Sequence, residues 1–327
     1  MTDLCIIIVS WNTKEYLLHC LESIFQKRES VPWEVVVMDN GSQDGSGTAV
    51  KKIFPAVHLI ENDRNLGFSK AVNQGLKKSS GRYALLLNPD TRVKEGAIER
   101  LVSFMDVHPE AGVAGVQLLN SDGSRQNSVA NFPSLATELV NKSLLRWMFP
   151  KRFPGKGRNY SEPIEVDSVI GAFMIVRREA IERVGLLDED YFLFLEETDW
   201  CYRMKKAGWK VYHLPQAEIY HFQGKSAGTE KKKAKVEYYR SRYHFFKKNR
   251  SDFQSFILLL GLLTRLAVEL ILITLASLFT LFTIKKWRKK LSLYAYLMGW
   301  HLRLCPEGMG LRSQPMSNVN AQSSNEV

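Results

Sequence analysis

The sequence predicts an α/β fold, a doubly wound and mostly parallel central sheet flanked by helices, with a hydrophobic helical segment appended near the C-terminus. Three observations predict it. Leu4–Val9, Trp33–Met38 and Tyr83–Leu87 are continuous apolar runs, the first two rich in β-branched residues, as strands covered on both faces require. Helical stripes alternate with these runs. Leu17, Cys20, Leu21 and Ile24 share one helix face, and Val93, Ala97, Ile98, Leu101, Val102 and Met105 share another. Phe256–Ile284 is apolar over more than the about 20 residues that cross a bilayer. Alternating strands and helices joined by right-handed crossovers build a parallel sheet, whose ligands bind beyond the carboxyl ends of the strands. The polar motifs of this chain follow its apolar runs.

The 327 residues suffice for one large α/β domain plus an appended segment, and 45% hydrophobic content supports a substantial core. The formal net charge of +11 concentrates late, in Lys231–Lys235, Arg240–Arg250 and Lys285–Lys290. That distribution suits an anionic partner such as a membrane leaflet or a phosphate-bearing ligand, with a solvated charged face as the plain alternative. The four cysteines, Cys5, Cys20, Cys201 and Cys305, lack C-x-x-C spacing, which argues against a zinc site or disulfide framework and for reduced cytosolic thiols. Leu4–Val9 is too short for a signal-peptide core and reads as a first strand. No G-x-G-x-x-G follows that strand, which weighs against a dinucleotide oxidoreductase. The basic residues flank an apolar segment and no nucleic-acid module is visible, so no nucleic-acid partner is expected.

The second run ends in Asp39-Asn40-Gly41-Ser42-Gln43-Asp44. A carboxylate there can accept from a base N–H or a ribose hydroxyl, and it can equally close an Asx-turn that caps the next helix. Asn12 or Thr13, after the first run, can cap the first helix. After a short third strand comes Asp63-Arg64-Asn65-Leu66-Gly67, where Gly67 permits a tight turn into a helix and Arg64 either meets phosphate or is solvated. Leu87-Asn88-Pro89-Asp90 is sharper: an apolar strand delivers Asn88 and Asp90, spaced by a rigid proline, to its carboxyl end. A carboxylate so placed can hold Mg²⁺ or Mn²⁺ against a diphosphate, or cap a turn. Residues 120–165, rich in Gly, Pro, Asn and Ser, read as a long loop over the site. Regular structure resumes at Val166–Val176, with helices from Arg178 and around Glu197–Lys206, the latter ended by Gly208.

Glu196, Glu197 and Asp199 cluster at the start of that last helix beside apolar residues. The helix dipole alone favours acids there. Clustered carboxylates in an apolar setting also repel, which raises the pKa of one of them and tunes a general base. Asp199 and Arg203 are four apart and can pair, which leaves Glu197 to face an acceptor. His221 gains meaning only in combination with Asp90.

Taken in order, these stretches resemble glycosyltransferase family 2, and within it the rhamnosyltransferase-like members, over about residues 3–250. Ile6–Asn12 looks like the family's opening strand, Asp39-Asn40-Gly41-Ser42 with Asp44 like its nucleotide-binding turn, and Asn65-Leu66-Gly67-Phe68 with Asn73 and Gly75 like its next segment. Lys70 departs from the small residue usual near there. Asn88-Pro89-Asp90 stands where the family carries its D-x-D motif, with Asn in place of the first acid, as is usual in this subgroup. Gly171-Ala172-Phe173 and Gly185-Leu186-Leu187-Asp188-Glu189 look like the acceptor-side segment.

The resemblance implies a GT-A nucleotide-sugar-binding fold over residues 1–250, with a nucleotide-sugar half at 1–118 and an acceptor half at 166–250. It implies donor contacts from Ser10, Asn12, Asp39, Ser42, Arg64, Asn65, Gly67 and Asn88, and a divalent metal, Mg²⁺ or Mn²⁺, on Asp90. His221, in an H-x-x-G-x-S context, is implied as a second metal ligand. Glu196-Glu197-Thr198-Asp199 with Arg203 is similar to the family's E-x-D-x-x-x-R pattern, which implies Glu197 as catalytic base, Glu196 as its rival and Asp199 as part of the catalytic set. The implied reaction is a single inverting displacement from a nucleotide diphosphate sugar. Rhamnose is favoured over other hexoses such as glucose, galactose or N-acetylglucosamine. A catalytically inactive membrane scaffold of the same fold is the non-enzyme alternative.

The segment 251–310 reads as membrane-associated and 311–327 as a disordered tail. Arg265 and Glu269 interrupt the apolar run at i, i+4, where they can pair. Lys247, Lys248 and Arg250 precede it, and Lys285, Lys286, Arg288, Lys289 and Lys290 follow it, so both flanks read as cytoplasmic. This favours a re-entrant hairpin or in-plane helices over one clean span, with a buried appendage or oligomer contact as the soluble alternative. Leu291–Leu304 also suits an interface. The expected enzyme works at the cytoplasmic face of the bacterial inner membrane, on a lipid-linked or polysaccharide acceptor in cell-surface glycan synthesis.

Overall fold

The computed structural model describes residues 3–26, 31–150, 160–222 and 230–313. The strands are β1 Leu4–Ser10, β2 Trp33–Asp39, β3 His58–Glu61, β4 Tyr83–Leu87, β5 Thr91–Val93, β6 Ala111–Leu119, β7 Val129–Ala130, β8 Ile164–Glu165, β9 Ser168–Val169, β10 Phe173–Arg177 and β11 Lys210–His221. The helices are α1 Lys14–Phe25, α2 Ser46–Ile53, α3 Phe68–Lys78, α4 Ala97–Val107, α5 Leu135–Leu139, α6 Lys142–Met148, α7 Arg178–Val184, α8 Glu196–Lys206, α9 Lys231–Asn249, α10 Asp252–Phe279 and α11 Lys285–Leu302.

The central sheet runs β3-β2-β1-β4-β10-β6-β11-β5, with β8 paired on β11. β3, β2, β1 and β4 are mutually parallel, as are β6 and β11, while β10 runs antiparallel between β4 and β6. Both faces are covered. Leu4, Ile6 and Ile8 join α1 and α4 in one core, while Cys5, Ile7 and Val9 join α3, α7 and α8 in the other. Every position of β1 is therefore buried, which is why it reads as an unbroken apolar run rather than an alternating one.

Two expectations are corrected. Val93 is strand, not helix: Gly96, at φ +71°, breaks the chain after β5, and α4 begins only at Ala97. The expected loop over 120–165 holds α5 and α6 besides the short strands β7 and β8. α5 begins in a Ser134–Thr137 capping box, and its Leu139 packs on α10 where Gly261 lacks a side chain. A third apolar core forms among α9, α10 and α11, with Phe245, Leu258, Leu262, Leu266, Leu297 and Trp300 buried in it. After α11 the chain returns to the α/β body: Leu311–Ser313 form a 3₁₀ turn, and Leu311 is buried beside Phe192 and Ala234. The remainder of the expected tail, all of residues 151–159 of the expected loop, and Gly224 and Ser226 of the H-x-x-G-x-S context lie outside the described residues.

Candidate active site

The carboxyl ends of β1 and β2 are in register at Ser10 and Asp39. Ser10 is fully buried, and its hydroxyl shares a 2.9 Å hydrogen bond with that of Thr13. Asp39 Oδ1 accepts the Ser42 N–H at 2.9 Å, the Asx-turn reading of this motif. Asn12 sits at φ 52°; its Oδ1 accepts the Gln43 N–H at 2.8 Å, and its own N–H donates to Ser42 Oγ at 2.9 Å. The two turns thus lock to each other. Asp44, not Asn12 or Thr13, caps α1 by accepting the Lys14 N–H at 2.8 Å. Burial raises the Asp44 carboxyl, but the Ser46 hydroxyl and the Lys14 and Ser46 N–H groups outweigh it and hold it below the usual carboxylate range.

Behind this turn lies an amide network that sequence reasoning missed. Asn40 donates to Asn65 Oδ1 at 2.9 Å and accepts from Asn62 at 3.1 Å and from the Leu66 N–H at 3.1 Å, and Asn62 in turn pairs with Gln74. Its members come from three separate segments, the end of β2, the 62–66 connection and α3, so no single local spacing marks it. Arg64 is exposed and contributes backbone to the packing: a Cβ on Gly41 would lie 2.6 Å from Arg64 Cα. Gly67 has φ +89°, and a Cβ there would lie 2.8 Å from the Phe192 ring, so the two halves of the site touch through a glycine.

At the end of β4, Asn88 is tied by its backbone: its N–H donates to Ala172 O at 3.0 Å, and its carbonyl accepts Thr91 Oγ1 at 2.8 Å. Asp90 follows, nearly buried. Antiparallel pairing of β5 with β11 sets His221 opposite Thr91, and His221 Nε2 lies 3.5 Å from Asp90 Oδ1. Gln126, unforeseen from the sequence, holds the other face of the ring: its amide nitrogen donates to the His221 carbonyl, and its Oε1 lies 3.0 Å from Nδ1. With the amide so oriented, Oε1 accepts from Nδ1–H, and in the neutral ring the Nε2 lone pair faces the Asp90 carboxylate. Two acceptors facing one another are a donor set that suits a divalent cation.

α8 begins after two consecutive residues in left-handed conformation, Phe194 at φ 74° and Leu195 at φ 66°. This turn sets Glu196 and Glu197 side by side. Glu196 is 6% exposed and Glu197 is half-buried, and the Oε2 atom of each is buried without a hydrogen-bond partner among the described residues. Burial pushes both carboxyls above the usual range, Glu196 furthest because Glu197 also repels its charge. A Cβ on Gly171 would lie 3.4 Å from Glu197 Cβ, and Gly171 adjoins Ala172, the partner of Asn88. The glutamate and the Asn88–Asp90 turn are therefore joined by one short connection.

Asp199 is 0% exposed and its oxygens are fully engaged. It accepts from Arg203 Nε at 2.9 Å, Lys248 Nζ at 2.9 Å and Asn249 Nδ2 at 3.0 Å. These bonds match its charge and tie α8 to α9. Its partners from α9, Lys248 and Asn249, were not legible in the sequence. Lys248 also meets Asp188 at 2.6 Å, beside His244 at 3.0 Å, so an ammonium already pairs with one acid of the Asp188–Asp190–His244 group. These partners outweigh burial and hold the Asp188 carboxyl far below the usual range.

Residues 5–185 match the family model described as Glycosyl transferase family 2. The chain belongs to glycosyltransferase family 2. This transferase is 30% identical over 262 residues to the N-acetylglucosaminyl-diphospho-decaprenol L-rhamnosyltransferase of Mycobacterium tuberculosis, covering 75% of this chain and 84% of that one. It is 27% identical over 218 residues to the dTDP-rhamnosyl transferase RfbF of Shigella flexneri, covering 66% of this chain and 67% of that one. Among solved structures, the mannosyltransferase PcManGT of Pyrobaculum calidifontis, in complex with GDP-Man and Mn²⁺, superposes with a TM-score of 0.56 at 15% identity, over 93% of this chain and 88% of that one. The expected GT-A-like fold and membership of the rhamnosyltransferase-like part of the family are both borne out, and the protein is an enzyme of the glycosyltransferase class.

Proposed function

We propose that this glycosyltransferase moves rhamnose from a nucleotide diphosphate donor to a lipid-linked or polysaccharide acceptor in cell-surface glycan synthesis, by one inverting displacement. The observation that carries the reading is the meeting of Asp90 with His221, at a turn that Ala172 and Gly171 join to Glu197. The rhamnosyltransferase names of two relatives support the sugar, and the decaprenol diphosphate in one of those names supports a lipid-linked acceptor. Such an acceptor sits at the cytoplasmic face of the inner membrane.

Asp90 and His221 would hold a divalent metal, whose charge would stabilise the departing nucleotide diphosphate. Asp39, Ser42, Asn12 and Asn65 shape the donor turn, backed by Ser10, Gly67 and the Asn40 network, with Asn88 beside it and the exposed Arg64 in reach of phosphate. Glu197 removes the acceptor hydroxyl's proton as that oxygen attacks the anomeric carbon. Burial shifts its carboxyl upward, the direction that makes a carboxylate a stronger base. Glu196, the more deeply buried and the further raised, holds a proton more readily than Glu197. Asp199, locked to α9, fixes the helix that presents both.

Calorimetric titration of the purified protein with a panel of nucleoside diphosphates and their sugars, with and without Mn²⁺, tests this. Metal-dependent binding of one pyrimidine nucleotide, lost in Asp90→Ala, is the expected result. A folded protein that binds none of the panel in either condition removes the reading.

A further inference from the structure

α10 has two opposite apolar faces. One is docked: Leu258, Leu262 and Leu266 are buried with Phe245, Leu297 and Trp300, and Gly261 presses on Leu139 of α5. The other is bare. Phe253, Phe256, Leu260, Ile271, Leu275 and Leu278 are each more than half exposed, and their spacing places them on one stripe opposite the docked leucines. From Phe253 to Leu278 that stripe extends about 38 Å, an unusually long apolar surface for a protein surrounded only by water. Thr264 falls on it, four residues after Leu260, whereas the charged residues Arg265 and Glu269 do not. Arg265 pairs with Glu269 at 3.1 Å, and Glu269 also bonds Tyr294 of α11, which places the pair at the edge of the docked face.

The charges stand at the two ends. Lys247 is exposed just before α10, and Lys285, Lys286, Arg288, Lys289 and Lys290 are exposed just after it, where α11 begins. The described residues 280–284 between the two helices add exposed Leu281, Phe282 and Ile284.

We propose that α10 lies flat in the headgroup region of an anionic bilayer leaflet. Its bare stripe is sunk to the acyl boundary, and the basic residues at both ends rest on lipid phosphates. A long apolar stripe with basic clusters at both ends is the chemistry of an in-plane anchor. A crossing helix is incompatible with the docked face, since spanning would strip Leu258, Leu262 and Leu266 from the α9–α11 core. It would also carry one basic cluster to the far side of the membrane. α10 packs on α9, and α9 supplies Lys248 and Asn249 to Asp199 of α8. The anchor and the glutamate-bearing helix are thus one packed unit, which sets Glu197 at a fixed height above the leaflet. The inference goes beyond the transfer reaction and does not depend on it, because lipid binding is measured without donor or acceptor.

The test is co-sedimentation of the full-length protein with vesicles of phosphatidylcholine alone or with 30% phosphatidylglycerol, about the anionic fraction at which basic clusters bind strongly. Expected is at least about tenfold tighter binding to the anionic vesicles, weakened by salt. The double variant Leu260→Glu/Leu275→Glu, changed only at exposed positions, loses binding by at least about tenfold while keeping its circular dichroism and melting temperature. Lys285→Ser/Lys286→Ser/Lys289→Ser/Lys290→Ser loses the preference for phosphatidylglycerol. Equal binding by the wild type and the Leu260/Leu275 variant overturns the proposal. So does a stable dimer that the same variant dissociates, or retention of the protein in membranes after carbonate extraction at high pH.

Discussion

His221 Nε2 and Asp90 Oδ1 stand 3.5 Å apart across the β5–β11 pairing, with Gln126 fixed against the opposite nitrogen of the imidazole. Gln126 touches neither a carboxylate nor the open side of the ring, so its effect passes entirely through the orientation of His221. Gln126→Leu is expected to weaken Mn²⁺ binding by about 10- to 100-fold, the usual loss when the hydrogen bond behind a ligating histidine is removed. Titration of Mn²⁺ in the presence of a nucleoside diphosphate measures this. Affinity equal to wild type would separate His221 from the metal.

Glu197 and Glu196 divide by exposure, and their amide variants should divide by kinetics. Glu197→Gln is expected to lower kcat by about 10²- to 10⁴-fold with donor affinity retained, as loss of a general base does. Glu196→Gln should cost far less. If Glu196→Gln alone abolishes turnover, the roles of the two are exchanged.

The raised carboxyl of Glu196 also predicts a pH dependence of stability. Its folded-state pKa lies above the unfolded value of 4.5, so between the two the folded protein holds more protons than the unfolded chain. Stability therefore falls as pH rises through that window. Glu196→Gln should raise the melting temperature at pH 8 and change it little at pH 4. A variant less stable than wild type at pH 8 contradicts the burial of an unpartnered carboxylate.

Asp199→Asn tests the positioning role. The substitution leaves the Arg203 charge without its acid and Lys248 with Asp188 alone, and the expected loss of stability is about 2–3 kcal/mol, below that of a wholly buried pair because Lys248 keeps 30% of its side-chain exposure. Chemical denaturation reads the loss. At substrate saturation kcat should fall less than in Glu197→Gln, and a deficit as large with no loss of stability would return Asp199 to the chemistry.

Gly67→Ala combines two penalties: a backbone at φ +89° that side chains rarely adopt, and a Cβ 2.8 Å from Phe192. A loss of about 1–3 kcal/mol in stability is expected, together with weaker donor binding as Asn65 shifts. Wild-type melting and wild-type donor affinity would show that the contact between Gly67 and Phe192 is dispensable.

The strands of the parallel half and the helix stripes were legible because their information is local. Burial on both faces leaves an unbroken apolar run in the chain, and burial on one face leaves a stripe at helical spacing. The turn motifs were legible for the same reason, since Asp39 and Ser42 bond within three residues. The limit shows at Val93, which fits the helical stripe of α4 yet belongs to β5, because Gly96 and the pairing with β11 outweigh the pattern.

The sequence by itself determined the fold class, the family and which acids stand near the sheet's carboxyl ends. Only the tertiary structure decided that Gln126 backs His221, that Lys248 and Asn249 of α9 pair with Asp199 of α8, and that one face of α10 is docked while the other is bare. The physical reason is the same in each case. Apolar periodicity is imposed residue by residue by burial, whereas a hydrogen bond or ion pair between distant segments leaves no spacing behind and exists only once packing brings its partners together.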